Sequence, residues 1–284
     1  GEFMSKELIG AMVTPFNNND EIDYAEVLKL ISRYEESKHD AIVVAGTTGE
    51  ETSLTAKEKI DLIKFVCKNT NLKVIVGVVE NNTQKAIEQI EVLNALPIYA
   101  CLVAIPHYNK PPQRGIFMHF KSILQMSKHP IIIYNVPSRC GVSIEYQTIK
   151  KLLHLSNKLI GIKECTPDYN LIYLLKKHNP DFKVYLGNDT HLLKALDLNA
   201  DGIISVSSIL FGEDYRNLLD DYEDGFKNVL LGEYLDLIGN LISLETNPIP
   251  IKYLLKKKGF KSMNLRLPLV TLSSEAIKSM EIIL

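Results

Sequence analysis

Eight short runs of apolar and β-branched residues, each followed by a stretch of helical periodicity, constrain the fold of this chain most. The runs fall at residues 9–13, 41–45, 74–79, 100–105, 131–134, 159–162, 184–186 and 202–206. They are hydrophobic on both faces, as parallel strands covered by helices should be. Helical periodicity fills residues 24–37, 56–69, 84–96, 113–127, 144–155, 169–178 and 191–199 between them. Thr55-Ala56-Lys57-Glu58 supplies a capping box for the second of these helices. Eight alternations in 284 residues predict an α/β fold, a closed (β/α)8 TIM barrel, with the doubly wound open sheet as the rival. Residues 215–244, 249–258 and 274–283 read as helices beyond the barrel's needs. The expected division is a barrel over 4–224 and a helical extension packed on it over 225–284.

Composition narrows the function. The chain is 46% hydrophobic and 23% charged, enough to bury a core. A net charge of -2 without a long basic block argues against a nucleic-acid partner, and Lys256-Lys257-Lys258 suits a solvated helix end. Four cysteines without a C-x-x-C pair, no signal peptide and no apolar run of membrane length suggest a cytoplasmic protein without structural disulfides or a membrane span. The seven histidines lack H-x-x-x-H and H-E-x-x-H spacing, so no metal site is expected. Gly1-Glu2-Phe3 ahead of Met4 reads as a cloning remnant.

A barrel of this kind carries its chemistry where the strands end. Polar clusters collect there: Gly46-Thr47-Thr48-Gly49-Glu50, Pro106-His107-Tyr108-Asn109-Lys110-Pro111, Tyr134-Asn135-Val136-Pro137-Ser138-Arg139, Lys163-Glu164 and Gly187-Asn188-Asp189. The sharpest is Leu159-Ile160-Gly161-Ile162-Lys163-Glu164, a buried strand ending in one lysine. Alternation puts Gly161, Lys163 and Cys165 on one face, and the glycine is expected to leave room beside the amine. In apolar surroundings a lysine loses charge solvation, its pKa falls from about 10.4 towards 7–8, and it becomes a nucleophile. The plainer alternative is an ammonium that reaches water.

Other strand ends offer groups that such an amine needs. The Thr47 and Thr48 hydroxyls, with backbone N–H groups at a helix start, suit a small carboxylate. Tyr134 is placed to face Lys163 and pass protons, with Tyr108 and Thr47 as candidates for a relay. Either tyrosine alone also fits simple packing. Arg139 offers a fixed fork for a second carboxylate, or a surface ion pair. Cys140 reads as inert and Glu50 as a structural acceptor of backbone hydrogen bonds.

Together these motifs resemble the dihydrodipicolinate synthase/N-acetylneuraminate lyase family. The likeness continues through Asn247-Pro248-Ile249-Pro250-Ile251-Lys252 and Leu265-Arg266-Leu267-Pro268, spanning almost the whole chain in order. It implies a (β/α)8 barrel that forms a Schiff base with pyruvate and uses no metal or organic cofactor. Residue by residue, it assigns Lys163 as the condensing amine and Tyr134 as proton donor and acceptor. Thr47 and Tyr108 complete the relay, Tyr108 reaching in from a neighbouring subunit. Thr48 holds the pyruvate carboxylate, the Ile204 backbone and Gly187 line the pocket, and Arg139 receives the carboxylate of the aldehyde. Arg139 and the Asn247–Lys252 segment resemble the synthase branch, which condenses pyruvate with L-aspartate 4-semialdehyde to 4-hydroxy-tetrahydrodipicolinate for diaminopimelate and lysine biosynthesis. The alternatives are a sialic acid lyase or 2-keto-3-deoxy sugar acid aldolase using the same lysine, and more remotely a carboxylate-binding barrel without catalysis. The implied assembly is a homo-oligomer, at least a dimer, with the tetramer as the family's usual state.

Two departures from the family pattern carry expectations. His107 stands where a tyrosine is common, beside Tyr108 at the subunit contact. Lys85 stands where lysine-inhibited members often have an acid, and Ala56 and Lys59 stand near positions of histidines. A cation at Lys85 repels ammonium groups, so feedback inhibition by lysine is expected to be weak or absent.

Overall fold

In the computed structural model, which describes residues 5–166 and 169–284, the eight apolar runs close into one parallel barrel in sequence order. Gly1–Met4, read above as carrying a cloning remnant, lie outside the described residues. The strands are β1 (Glu7–Ala11), β2 (Ala41–Val44), β3 (Lys73–Val78), β4 (Ala100–Ala104), β5 (Ile131–Asn135), β6 (Leu159–Glu164), β7 (Lys183–Leu186) and β8 (Gly202–Ser205). Ile9 of β1 pairs with Ile204 of β8, so no strand edge is left open. Around the barrel lie α1 (Tyr24–Glu36), α2 (Ala56–Asn69), α3 (Thr83–Leu93), α4 (Gln113–Met126), α5 (Pro137–Cys140), α6 (Tyr146–Leu153), α7 (Asn170–His178), α8 (Leu192–Asp197) and α9 (Ser208–Glu223). Then come α10 (Val229–Leu241), α11 (Ile249–Lys257) and α12 (Ser274–Ile283).

The local causes are legible. All of β2 and β4 is buried, one face against the barrel interior and the other beneath helices. Burying such side chains contributes roughly 1.5–3 kcal/mol each, which drives closure. Asp23 caps α1 by accepting the Ala25 and Glu26 N–H groups, and the capping box at Thr55 forms on α2 as its sequence predicts. The N-terminal end of the barrel is plugged by charge. Lys176 donates to Asp201 at 2.7 Å and to the Pro180 and Phe182 carbonyls, and the Tyr185 hydroxyl donates to Glu7 at 2.7 Å.

Several boundaries differ from the sequence reading. The first strand begins two residues earlier than expected, at Glu7. The helix expected over 215–244 is two helices: α9 starts at Ser208, and the chain breaks through Gly225 (φ 85°) before Asn228 caps α10. The four-residue α5 is too short for periodicity to reveal. In β6 the spare volume is not beside Gly161. A Cβ there would lie 2.8 Å from the Lys183 carbonyl oxygen, so the backbone of β7 fills that space.

Candidate active site

Paired residues of parallel strands point to the same side, and the register aligns Ala104 with Tyr134, Tyr134 with Lys163, and Lys163 with Tyr185. Tyr134 and Lys163 therefore share the interior face at the C-terminal mouth, each 6% exposed. The Lys163 Nζ lies 4.4 Å from the centre of the Tyr134 ring. Room for the lysine comes from Gly187, just past β7. A Cβ on Gly187 would sit 3.0 Å from Lys163 Cγ and 2.2 Å from Cys165 Sγ. Burial pushes the Cys165 thiol up to about 11, with the Lys163 charge and a hydrogen bond from Tyr134 acting the other way, so it sits there protonated.

Lys163, Tyr134, Arg139, Gly187 and Asp189 line a cavity of about 330 Å³. It adjoins a second of about 250 Å³, lined by Thr47, His107, Tyr134 and Arg139. Tyr134, Arg139 and Asn247 wall both, so the amine, phenol, guanidinium and Thr47 hydroxyl face connected space. Arg139 is exposed and has no ion pair with a carboxylate among the described residues; its Nη2 donates to the Asn247 carbonyl at 3.3 Å. Asp189, half-buried at the cavity wall, accepts the N–H groups of Val206 (3.1 Å) and Ser207 (2.7 Å), fixing the turn after β8. Burial raises its pKa above the ordinary carboxylate value.

The loop Gly46–Glu50 is held from the far end of the chain. Asn247 Nδ2 donates to the Thr48 hydroxyl at 2.9 Å. Glu50, buried in a left-handed conformation (φ 54°), accepts the Lys252 ammonium at 2.5 Å and the Arg266 N–H at 3.1 Å. Glu50 is thus structural, but its partners lie over 200 residues away, not in its own helix start. Lys252 also donates to the Thr14 and Asn264 carbonyls. Burial lowers its pKa while Glu50 pulls it back up. The Cys140 thiol donates to the Ile105 carbonyl, and burial pushes it up to about 11.

Three expected site residues are not on the walls of these cavities: Thr48, buried at 3% exposure beneath Asn247, Ile204 and Tyr108. Ile204 is 1% exposed within β8, and Val206, two residues on, reaches the cavity wall. Tyr108 is 88% exposed in a left-handed conformation (φ 72°) and makes no hydrogen bond to Thr47 or Tyr134 within the chain. A bulky residue held at positive φ with its ring in solvent carries local strain without packing in return. His107 lines the smaller active-site cavity and also an adjoining one of about 600 Å³ between α2 and α3, with Glu51, Thr52 and Val79 as further common walls. There Lys59 is buried, donating to Glu51 (3.0 Å), the Gly77 carbonyl (2.6 Å) and Gln89 (2.8 Å), while Lys85 is exposed at the rim. Among the described residues no group of three or more His, Cys, Asp or Glu is placed to hold a metal ion. No helix among them is long and apolar enough to cross a membrane.

The dihydrodipicolinate synthetase family model matches residues 4–284. The 4-hydroxy-tetrahydrodipicolinate synthase of Dehalococcoides mccartyi strain 195 is 36% identical over 268 residues, covering 92% of this chain and 90% of the relative. That of Buchnera aphidicola is 38% identical over 272 residues, covering 94% and 92%. The crystal structure of the Aquifex aeolicus dihydrodipicolinate synthase superposes with a TM-score of 0.94 at 33% identity, covering 99% of this chain and 97% of that one. With the family model matched over nearly the whole chain, relatives above 30% identity over most of their length and the same fold, this chain belongs to the dihydrodipicolinate synthetase family.

Proposed function

We propose that this protein is a 4-hydroxy-tetrahydrodipicolinate synthase, condensing pyruvate with L-aspartate 4-semialdehyde. The observation that carries the reading is the buried Lys163 amine, 4.4 Å from the Tyr134 ring, in one cavity with the Arg139 guanidinium. The chemistry follows from those groups. The neutral amine adds to the pyruvate ketone, and Tyr134 protonates the departing hydroxyl so that water leaves and an iminium forms. The iminium draws electrons from the methyl C–H bond; the proton departs and an enamine results. The enamine carbon attacks the aldehyde, whose oxygen takes up a proton as the new C–C bond forms. The amino group of the semialdehyde then attacks the iminium carbon, closing the ring and releasing Lys163. Thr48 and the loop N–H groups hold the pyruvate carboxylate, and Arg139 pairs with the carboxylate of the aldehyde. Tyr108 joins Thr47 and Tyr134 from a second subunit, which makes the protein a homo-oligomer, and its exposed ring fits that role.

Turnover of pyruvate with aspartate semialdehyde, coupled to a reductase that consumes the product, tests the reading. Borohydride with pyruvate should add a pyruvate-derived mass at Lys163, lost in Lys163→Ala. In Arg139→Ala the adduct should persist while turnover falls about a hundredfold, the scale of losing a charge-assisted pair. An adduct without turnover in the unmodified protein would redirect the search to N-acetylmannosamine and sugar aldehydes; no adduct would leave a carboxylate binder.

Feedback by lysine should be weak. The Lys59 ammonium already takes the acceptors Glu51, Gly77 and Gln89, and Lys85 adds a second cation at the rim of that cavity. Half-inhibition by submillimolar L-lysine in the coupled assay would contradict this.

A further inference from the structure

Two motif residues have no role in the chemistry above, yet they are tied to each other directly behind the reacting pair. Asn135 and Glu164 follow Tyr134 and Lys163 on their strands, pair in register, and are both 0% exposed. Pointing away from the barrel interior, the Asn135 Nδ2 donates to both Glu164 oxygens, at 3.1 and 3.0 Å. Oε1 also accepts the Thr166 N–H at 2.9 Å, so both oxygens accept. The other side of Asn135 closes the loop that carries Arg139. Its Nδ2 donates to the Ser143 hydroxyl at 3.0 Å, and its Oδ1 accepts the Ile144 N–H at 3.1 Å.

This lock sits where the sheet needs one. The β5–β6 pairing contains a register shift, Ile131 pairing with Leu159 but Ile132 with Gly161. The extra residue rephases β6 against β5, so the register at the strand ends decides which side chain faces the cavity, and one residue of slip there would turn Lys163 out and Glu164 in. We propose that Asn135 and Glu164 are positioning residues for the Schiff-base reaction, an amide–carboxylate lock that fixes Tyr134, Lys163 and Arg139 relative to one another. The inference rests on the assignment of Lys163 as the reacting amine.

The test reads both the rate of borohydride-trapped pyruvate adduct and kcat, alongside the melting temperature. Asn135→Asp sets two carboxyl groups against each other. The expected result is a loss of about a hundredfold in adduct rate and kcat at pH 8, the scale of a misplacement of about 1 Å. Activity should recover on acidification, because a proton shared between the carboxyl groups restores the missing donor. The double variant Asn135→Asp/Glu164→Gln rebuilds the pair with its polarity reversed and should return both rates to within about tenfold of the unmodified protein. A merely structural contribution would shift the melting temperature without inverting the pH dependence. Should Asn135→Asp not fold, Glu164→Gln is nearly isosteric and is expected to lose about tenfold in adduct rate while melting as a folded protein. A folded single variant with unaltered adduct rate overturns the proposal. So does a double variant that is folded but as slow as Asn135→Asp. No adduct in the unmodified protein removes the underlying assignment of Lys163, which separates that failure from this one.

Discussion

Lys163 owes its room at the barrel mouth to a residue with no side chain. Its neighbour at the mouth, Gly187, leaves space that a methyl group would take, 3.0 Å from Lys163 Cγ and 2.2 Å from Cys165 Sγ. Neither atom can yield freely: Lys163 is packed to 6% exposure, and Cys165 Sγ is held by a hydrogen bond with Tyr134. Gly187→Ala is therefore expected to displace the amine and lower kcat by about a hundredfold, since misplacement by about 1 Å costs that much. The barrel should still fold, because Gly187 lies beyond the end of β7. Circular dichroism checks the fold and adduct formation checks the amine; normal adduct kinetics in a folded variant would contradict the packing argument. The role of Gly161 was misread from alternation because a pattern of faces does not show which neighbouring backbone fills the gap. Tyr134 and Lys163 were legible in the sequence as lone polar groups ending apolar runs. Asn247 was legible only as part of a motif, because its hold on Thr48 spans 199 residues and leaves no local trace.

At the level of elements, alternating runs sufficed for strands and most helices, whereas breaks depended on single residues such as Gly225 and Asn228 within polar stretches. Beyond the meeting of Tyr134 and Lys163, contacts between elements left no pattern in the sequence. One of them carries a pH dependence. His39, in the turn between α1 and β2, is 3% exposed, with Nδ1 against the Tyr34 carbonyl (3.1 Å) and Nε2 against the Ser208 hydroxyl at the start of α9 (2.9 Å). Burial lowers its pKa to about 3, the nearby Arg216 charge acting the same way and the Tyr34 carbonyl opposing. His119, buried between α3 and α4 beside Thr83, is lowered to about 4 by burial. The unfolded chain takes up these protons below pH ~6.5 while the folded chain refuses them, so stability is full above that pH and falls as pH drops towards the folded values. The loss at pH 5 is about 2 kcal/mol for each histidine. Urea midpoints should fall between pH 7 and pH 5, and His39→Asn should make that fall shallower. An equal slope in the variant would mean that His39 is not one of the groups responsible.

For the whole molecule, the unresolved term in the single chain is Tyr108. Its backbone is held at φ 72° and its ring is 88% exposed, while Thr47 and Tyr134 face the cavity without it. Asn109 anchors the same loop through the Asn81 carbonyl at 2.7 Å, so the ring is presented on a braced turn instead of a loose one. A braced aromatic with nothing to pack on in its own chain fits the proposed role of completing a neighbour's site, and under that proposal the site is a property of the assembly. This arrangement makes a prediction that a self-contained site does not. Lys163→Ala and Tyr108→Phe should each be nearly inactive alone. When the two are mixed, allowed to exchange subunits and assayed, each mixed pair holds one site with an intact lysine and an intact tyrosine and one site with neither. Random exchange makes half the pairs mixed, with half their sites whole, so activity should rise to about a quarter of the unmodified level. The rise should follow the time course of subunit exchange, and covalent cross-linking before mixing should prevent it. If Tyr108 served its own chain, no mixture could bring the two intact residues together, and activity would stay at the sum of the two variants.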